Sequence, residues 1–254
     1  MFTPVLATAA LAVVAPPADG PFDYQIGGAY PPAPQVRIVG RDRAADPVEG
    51  LYNVCYINAF QAQPGAEGAS WRRRHPRLLL RRHGRYVVDR DWGETLFDTS
   101  TAGKRRALAA IIGRWIDGCA RKGFQAVEPD NLDSWTRSRG LLTRADNLAF
   151  ARRLIARAHA RGLAIAQKNT PELGARGRAI GFDFAIAEEC QAYHECGRYT
   201  RAYGNRVYEI EYADNGGRAA FDAACAARGD RISVTYRDRN VVPRGDRGFV
   251  ADFC

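Results

Sequence analysis

Lysine is almost missing from this chain. Only Lys104, Lys122 and Lys168 stand among the 37 basic residues, and the other 34 are arginines spread along the whole length. The formal charge of +9 invites a nucleic-acid reading. No helix-turn-helix, RRM or zinc-finger pattern accompanies it, however, and the densest run, Trp71-Arg72-Arg73-Arg74-His75, reads as a solvated loop. Nucleic acid is therefore not expected as a partner. Histidine is scarce too: His75, His83, His159 and His194 show no paired ligand spacing, and neither CxxC nor a Cys/His zinc pattern occurs, so no metal is expected. No GxGxxG loop follows the first apolar run, which removes the main mark of a dinucleotide-binding open sheet, the structural runner-up. No GxSxG elbow supports Ser/His/Asp chemistry, and no cofactor is implied.

Long apolar runs are missing as well. Met1 to Ala15 is apolar apart from two Thr and one Pro, with small residues at Val13-Val14-Ala15 ahead of Pro16-Pro17. That is too short for a membrane span and fits a secretory signal, although no Lys or Arg precedes it. The expectation is a signal peptide over 1–15 and one domain over 16–254, extracellular, monomeric and free of the membrane after cleavage. Six cysteines, an even number, suit an oxidising compartment. Buried free thiols remain an alternative for Cys55 and Cys119, which sit in apolar surroundings.

At 254 residues the chain has the length of one (β/α)8 barrel, and 46% hydrophobic residues can supply its core. Eight short apolar runs each stop at polar or charged residues. Ile38-Val39 leads to Arg41-Asp42, Val54 to Ile57 to Asn58, and Val87-Val88 to Asp89 and Asp91. Phe124 to Val127 leads to Glu128-Pro129-Asp130-Asn131, Leu163 to Ala166 to Lys168-Asn169, and Phe184 to Ile186 to Glu188-Glu189. Val207 to Ile210 leads to Glu211-Tyr212, and Ile232 to Tyr236 to Arg237-Asp238. Between them run amphipathic patterns. Leu108, Ile111, Ile112, Trp115, Ile116 and Cys119 form one helical stripe closed by Gly123, and Thr143 with Asp146 caps a second helix ended by Gly162. Weaker patterns cover 171–179, 191–203 and 217–228. This alternation means parallel βαβ units, hence α/β class and a single (β/α)8 TIM barrel. Residues 16–34 read as an irregular leader, and Gln61 to Gly84 as a loop holding a short or distorted helix.

In such a barrel the strand ends open onto one face. Strands four and six there carry Glu128, Asp130 and Asp133 against Glu188 and Glu189. Paired carboxylates are what glycosidic cleavage requires, one as acid and one as nucleophile or base, and like charges held together otherwise shift pKa unfavourably. A divalent metal at Asp89, Asp91 and these acids is the rival, but Lys168 ends the intervening strand and competes with a cation. His159 lies within a helix and reads as structural. The strand-end rule adds Asp42, Tyr56, Asp91, Glu128, Glu189, Glu211 and Tyr212 as substrate-binding candidates. Tyr24, Tyr56, Trp92, Trp135 and Tyr212 are aromatics that could stack on sugar rings.

At these residues the chain resembles glycoside hydrolase family 114, the endo-α-1,4-polygalactosaminidase-like barrels. The resemblance rests on Asp23-Tyr24-Gln25-Ile26-Gly27-Gly28, Val127 to Asp133, Gln167-Lys168-Asn169, Asp183 to Cys190 and Glu211-Tyr212, and runs from about residue 23 to the C-terminus. It implies hydrolysis of an α-1,4-linked galactosamine or N-acetylgalactosamine polysaccharide. Asp130 and Glu188 match the proposed catalytic pair, and Lys168, Asn169, Asn131 and Tyr24 line the site. Ala187 stands where the family often has Asn, and Asn58-Ala59-Phe60 replaces a Gly-containing turn; both bear on the substrate. Cys190 with Cys196 also follows the family, and Cys225 with Cys254 is the further pairing expected. A secreted, non-catalytic glycan-binding barrel is the alternative. The expected outcome at the anomeric carbon is retention, with Asp130 as nucleophile and Glu188 as acid/base; the sequence leaves open which of the two Lys168 touches. A deacetylated polymer is polycationic and would be repelled by a +9 protein unless the carboxylates make a locally acidic cleft.

Overall fold

The computed structural model describes residues 12–254. Eight parallel strands succeed one another around a barrel: β1 Phe22–Gln25, β2 Ile38–Asp42, β3 Tyr52–Asn58, β4 Ala126–Asp130, β5 Ala164–Lys168, β6 Phe184–Glu188, β7 Val207–Tyr212 and β8 Ser233–Arg237. A short β9, Ala251–Phe253, runs antiparallel along β8. At the seam between β8 and β1, hydroxyls stand in for a backbone ladder: Thr235 donates to the Phe22 carbonyl at 2.7 Å and Ser233 to that of Gly20 at 2.6 Å. The architecture is the expected TIM barrel, with one strand drawn from a different segment than the apolar runs indicate. Val87-Val88 belongs to a small excursion between β3 and β4, where Val88 bridges Thr95, and β1 comes from the segment read as an irregular leader. Strands four and six keep their places because the two errors offset each other.

Alternation along each strand divides the core into two layers. Inward residues such as Phe22, Tyr24, Ile38, Val54, Ile186 and Tyr208 fill the barrel, with Ala126, Ala164 and Ala166 leaving room for the rings. Outward residues such as Ile57, Val127, Ile165 and Val234 meet the helices. α1 (Ala66–Arg74) follows β3, α2 (Ala102–Lys122) precedes β4, and α3 (Arg144–His159) precedes β5. α4 (Ala175–Ala179), α5 (Cys196–Tyr203) and α6 (Gly217–Arg228) precede β6, β7 and β8. The sequence signals act as expected. Thr101 accepts from the Lys104 N–H and caps α2, Gly123 closes it at φ 96°, and Thr143 with Asp146 forms a reciprocal capping box on α3. Leu108, Ile112 and Ile116 are fully buried on the inner face of α2, each worth about 1.5–3 kcal/mol relative to exposure. The arginine run 72–74 is the last turn of α1 rather than a loop, where cations oppose the helix dipole.

Three disulfides form: Cys190–Cys196, Cys225–Cys254 and Cys55–Cys119. The third corrects the free-thiol alternative, since Cys55 points outward from β3 onto Cys119 of α2. Val14 and Pro17 lie at the opposite end of the barrel from the strand C-termini, where their carbonyls accept from the Tyr52 and Tyr208 hydroxyls. Residues 1–11, most of the expected signal peptide, lie outside the described residues.

Candidate active site

The C-terminal ends of β3 to β7 converge on a cleft of about 380 Å³. Asp130, Lys168, Glu188 and Tyr212 each close a strand with an inward side chain, and Tyr56 lies one inward position below the end of β3. The residue following each of the three charged ends, Asn131, Asn169 and Glu189, has φ between 47° and 63°. This left-handed step turns the backbone off the barrel at once. Asn accepts it readily, whereas at Glu189 it is a strained conformation held by its surroundings.

Lys168 is the centre of the site. Its ammonium is buried and lies 2.8 Å from Glu128 Oε1, 3.3 Å from Asp130 Oδ1 and 3.4 Å from Glu188 Oε2. Tyr24 completes a lower tier, accepting from Lys168 at 3.0 Å and donating to Glu128 Oε1 at 2.7 Å. In the upper tier the Tyr56 hydroxyl donates to Asp130 Oδ2 at 2.7 Å, and the Tyr212 hydroxyl to Glu188 Oε1 at 2.6 Å. The Asn169 amide donates to Glu188 Oε2 at 2.8 Å, while its carbonyl accepts the Glu188 backbone N–H at 2.9 Å.

 

Tyr24, Tyr56, Glu128, Asp130, Lys168, Glu188 and Tyr212 all sit on barrel strands, and Asn169 directly follows β5.

Burial sorts the three carboxylates. Glu128 has no exposed side-chain surface, and its Oε2 has no hydrogen-bond partner among the described residues, whereas Asp130 and Glu188 keep 19% and 23% exposure toward the cleft. Burial pushes Glu128 up to about 7 against the pull of Lys168. Burial also acts upward on Asp130, but the Lys168 charge and the bonds from Tyr56 and the Asn131 N–H outweigh it and hold this carboxyl below its usual range. Burial acts downward on Lys168, but the charges of Asp130, Glu128 and Glu188 outweigh it and hold the ammonium well above its ordinary value. Burial, then the neighbouring carboxylates, raise Tyr24, and likewise Tyr56 and Tyr212.

The walls come from loops. The β3–β4 excursion supplies Asp89, Asp91, Trp92 and Glu94, the loop after β4 supplies Asn131, Asp133 and Arg137, and the loop after β8 supplies Arg239, Asn240 and Val241. Gly27 lets the β1 exit pass this last loop, since a Cβ there would stand 2.4 Å from the Val241 carbonyl oxygen. Glu189 pairs with Arg239. Seven carboxylates and three cations line the cleft, so it is acidic inside a basic protein.

Not every expected residue reaches it. Asp42 caps its own turn by accepting the Ala44 N–H at 2.8 Å. Glu211 points outward from β7 and accepts the Gln191 and Ala192 N–H groups at 2.8 and 3.4 Å, so it holds the loop after β6 rather than substrate. Tyr24 and Glu128 lie beneath the cleft floor. Trp135 packs on Leu80, Val87, Leu96 and Leu142 instead of the cleft. His159 sits on α3 and bonds Asp183 at 2.9 Å. Glu94 was missed: it is buried, accepts from Asn58 at 2.7 Å and Asn131 at 3.0 Å, and burial pushes it up to about 7. No apolar run precedes it, so the strand-end rule could not find it.

The model of glycoside-hydrolase family GH114 matches residues 3–254. The chain belongs to that family. It is a glycoside hydrolase. Comparison with curated proteins finds no match. Among solved structures, Aspergillus fumigatus Ega3 in complex with galactosamine is similar at TM-score 0.74 and 22% identity, over 98% of this chain and 100% of that one. The glycoside hydrolase domain of PelA from Pseudomonas aeruginosa is similar at TM-score 0.62 and 16% identity, over 90% and 97%. At these identities the two share the fold.

Proposed function

We propose that this hydrolase cleaves an α-1,4-linked galactosamine or N-acetylgalactosamine polysaccharide by a retaining, two-carboxylate mechanism outside the cell. The observation that carries the chemistry is that, of the three carboxylates around Lys168, only Asp130 and Glu188 open to the cleft. Asp130, held ionised, attacks the anomeric carbon while Glu188 protonates the departing glycosidic oxygen. Glu188 then takes a proton from the water that hydrolyses the glycosyl–Asp130 ester. Asp130 Oδ1 and Glu188 Oε2 lie 3.3 and 3.4 Å from the same ammonium, so these two oxygens are at most about 6.7 Å apart, which leaves little room for the water of an inverting site.

The acidic cleft supports a cationic amino sugar, as does the galactosamine bound to the similar Ega3 fold. Export rests on the signal-like residues 1–15 and the three disulfides; no helix among the described residues is long and apolar enough to cross a membrane. Cleavage after Ala15 would remove the Val14 contact to Tyr52 and keep that of Pro17 to Tyr208. The test is a reducing-end assay on purified galactosamine, N-acetylgalactosamine and glucosamine polymers. Release from either galactosamine polymer is expected, and turnover confined to the glucosamine polymer would overturn the substrate assignment.

A further inference from the structure

The excursion between β3 and α2 carries a cationic device that the cleft does not use. Arg81–Arg82 and Arg85–Tyr86 form a two-strand hairpin turned by His83 at φ 49° and Gly84 at φ 76°, both left-handed. Arg81 stacks on Tyr86 at 4.2 Å and donates to its hydroxyl at 2.6 Å, so its charge is accommodated. Arg82 and Arg85 are not. They are direct cross-strand partners, so two like charges share one face of the hairpin, an arrangement that costs stability. With Arg139, itself at φ 58°, they line one exposed hollow, and none of the three is in an ion pair among the described residues.

We propose that Arg82, Arg85 and Arg139 bind the carboxylate or sulfate groups of an anionic polysaccharide. Paired guanidinium forks match such oxyanions. A second hollow, lined by Asp89, Arg90, Asp91, Arg137 and Arg139, joins this one to the sugar cleft. Its two aspartates disfavour a duplex with a charge every ~1.7 Å and tolerate a polymer with one charge per sugar. A polycationic substrate must also be accompanied by anions, and a counter-polymer would meet the enzyme beside the cleft; this argument alone rests on the proposed substrate.

Titration calorimetry of the full protein with polygalacturonate at low salt tests the site. Binding is expected, with affinity falling at least about tenfold in R82Q/R85Q and less than about twofold in R106Q/R153Q, an equal charge change at exposed arginines on α2 and α3. R82Q/R85Q should melt no lower than the parent, since it removes a repulsion. No binding by the parent, equal loss in both variants, or equally tight binding of duplex DNA would overturn the proposal. The readout needs no turnover, so it stands or falls separately from the substrate assignment.

Discussion

Two regions face each other across the cleft and work in different ways. The arc from β4 to β7 places Asp130, Lys168, Glu188 and Tyr212 on strand ends, each in register with a residue of a neighbouring strand. The excursion from Gln61 to Thr99 places Asp89, Asp91, Trp92 and Glu94 on turns and short bridges, with Trp92 53% exposed. Rigid strand ends suit groups that must meet a reacting atom, whereas loops suit contacts that choose and hold a chain.

That division makes the largest expected effect a contrast in kinetics. Asp130→Asn and Glu188→Gln should each lower kcat by at least about a hundredfold with folding intact. Asp91→Asn and Trp92→Ala should raise KM by about threefold to tenfold and leave kcat within about threefold. Steady-state kinetics on one polymer checks all four, and a wall variant that loses kcat as severely as Asp130→Asn would erase the distinction.

The next effect sharpens the comparison through stability. Cys55–Cys119 ties β3 to α2 across a separation of 64 residues, enclosing the whole excursion. Replacing both cysteines by alanine should cost about 4 kcal/mol in the chain-entropy account, measured by denaturant unfolding. A loss below about 1 kcal/mol would mean the excursion is anchored by its packing instead.

The smallest effect is in pH. Burial pushes Glu94, Glu128 and Glu211 each up to about 7. A carboxyl raised on folding favours the folded state fully below its unfolded value, near 4.3, and that contribution is lost as pH rises through about 7. Melting temperature should therefore fall between pH 5 and 8, and by less in Glu128→Gln. An unchanged slope in that variant would show Glu128 ionised throughout.

The same contrast explains what could be read from sequence. Glu128-Pro129-Asp130 and Glu188-Glu189 were visible because an apolar run precedes each. β1 was hidden because its outward Asp23 and Gln25 feed a buried polar network instead of a helix: Asp23 accepts from Gln25 and Tyr30, and Arg237 donates to Tyr30 at 2.7 Å. Val87-Val88 misled because two apolar residues before an aspartate look alike on a barrel strand and in an excursion. Cys55 with Cys119, and Glu94 with Asn58 and Asn131, are long-range pairings that no local pattern encodes.

Asp130 as nucleophile is tested most directly by the anomeric outcome. Proton NMR of the first product released from a galactosamine oligomer should show the α-anomer before mutarotation, as retention at an α-linkage demands. The β-anomer appearing first would contradict it, placing a water between sugar and carboxylate and removing Asp130 as nucleophile.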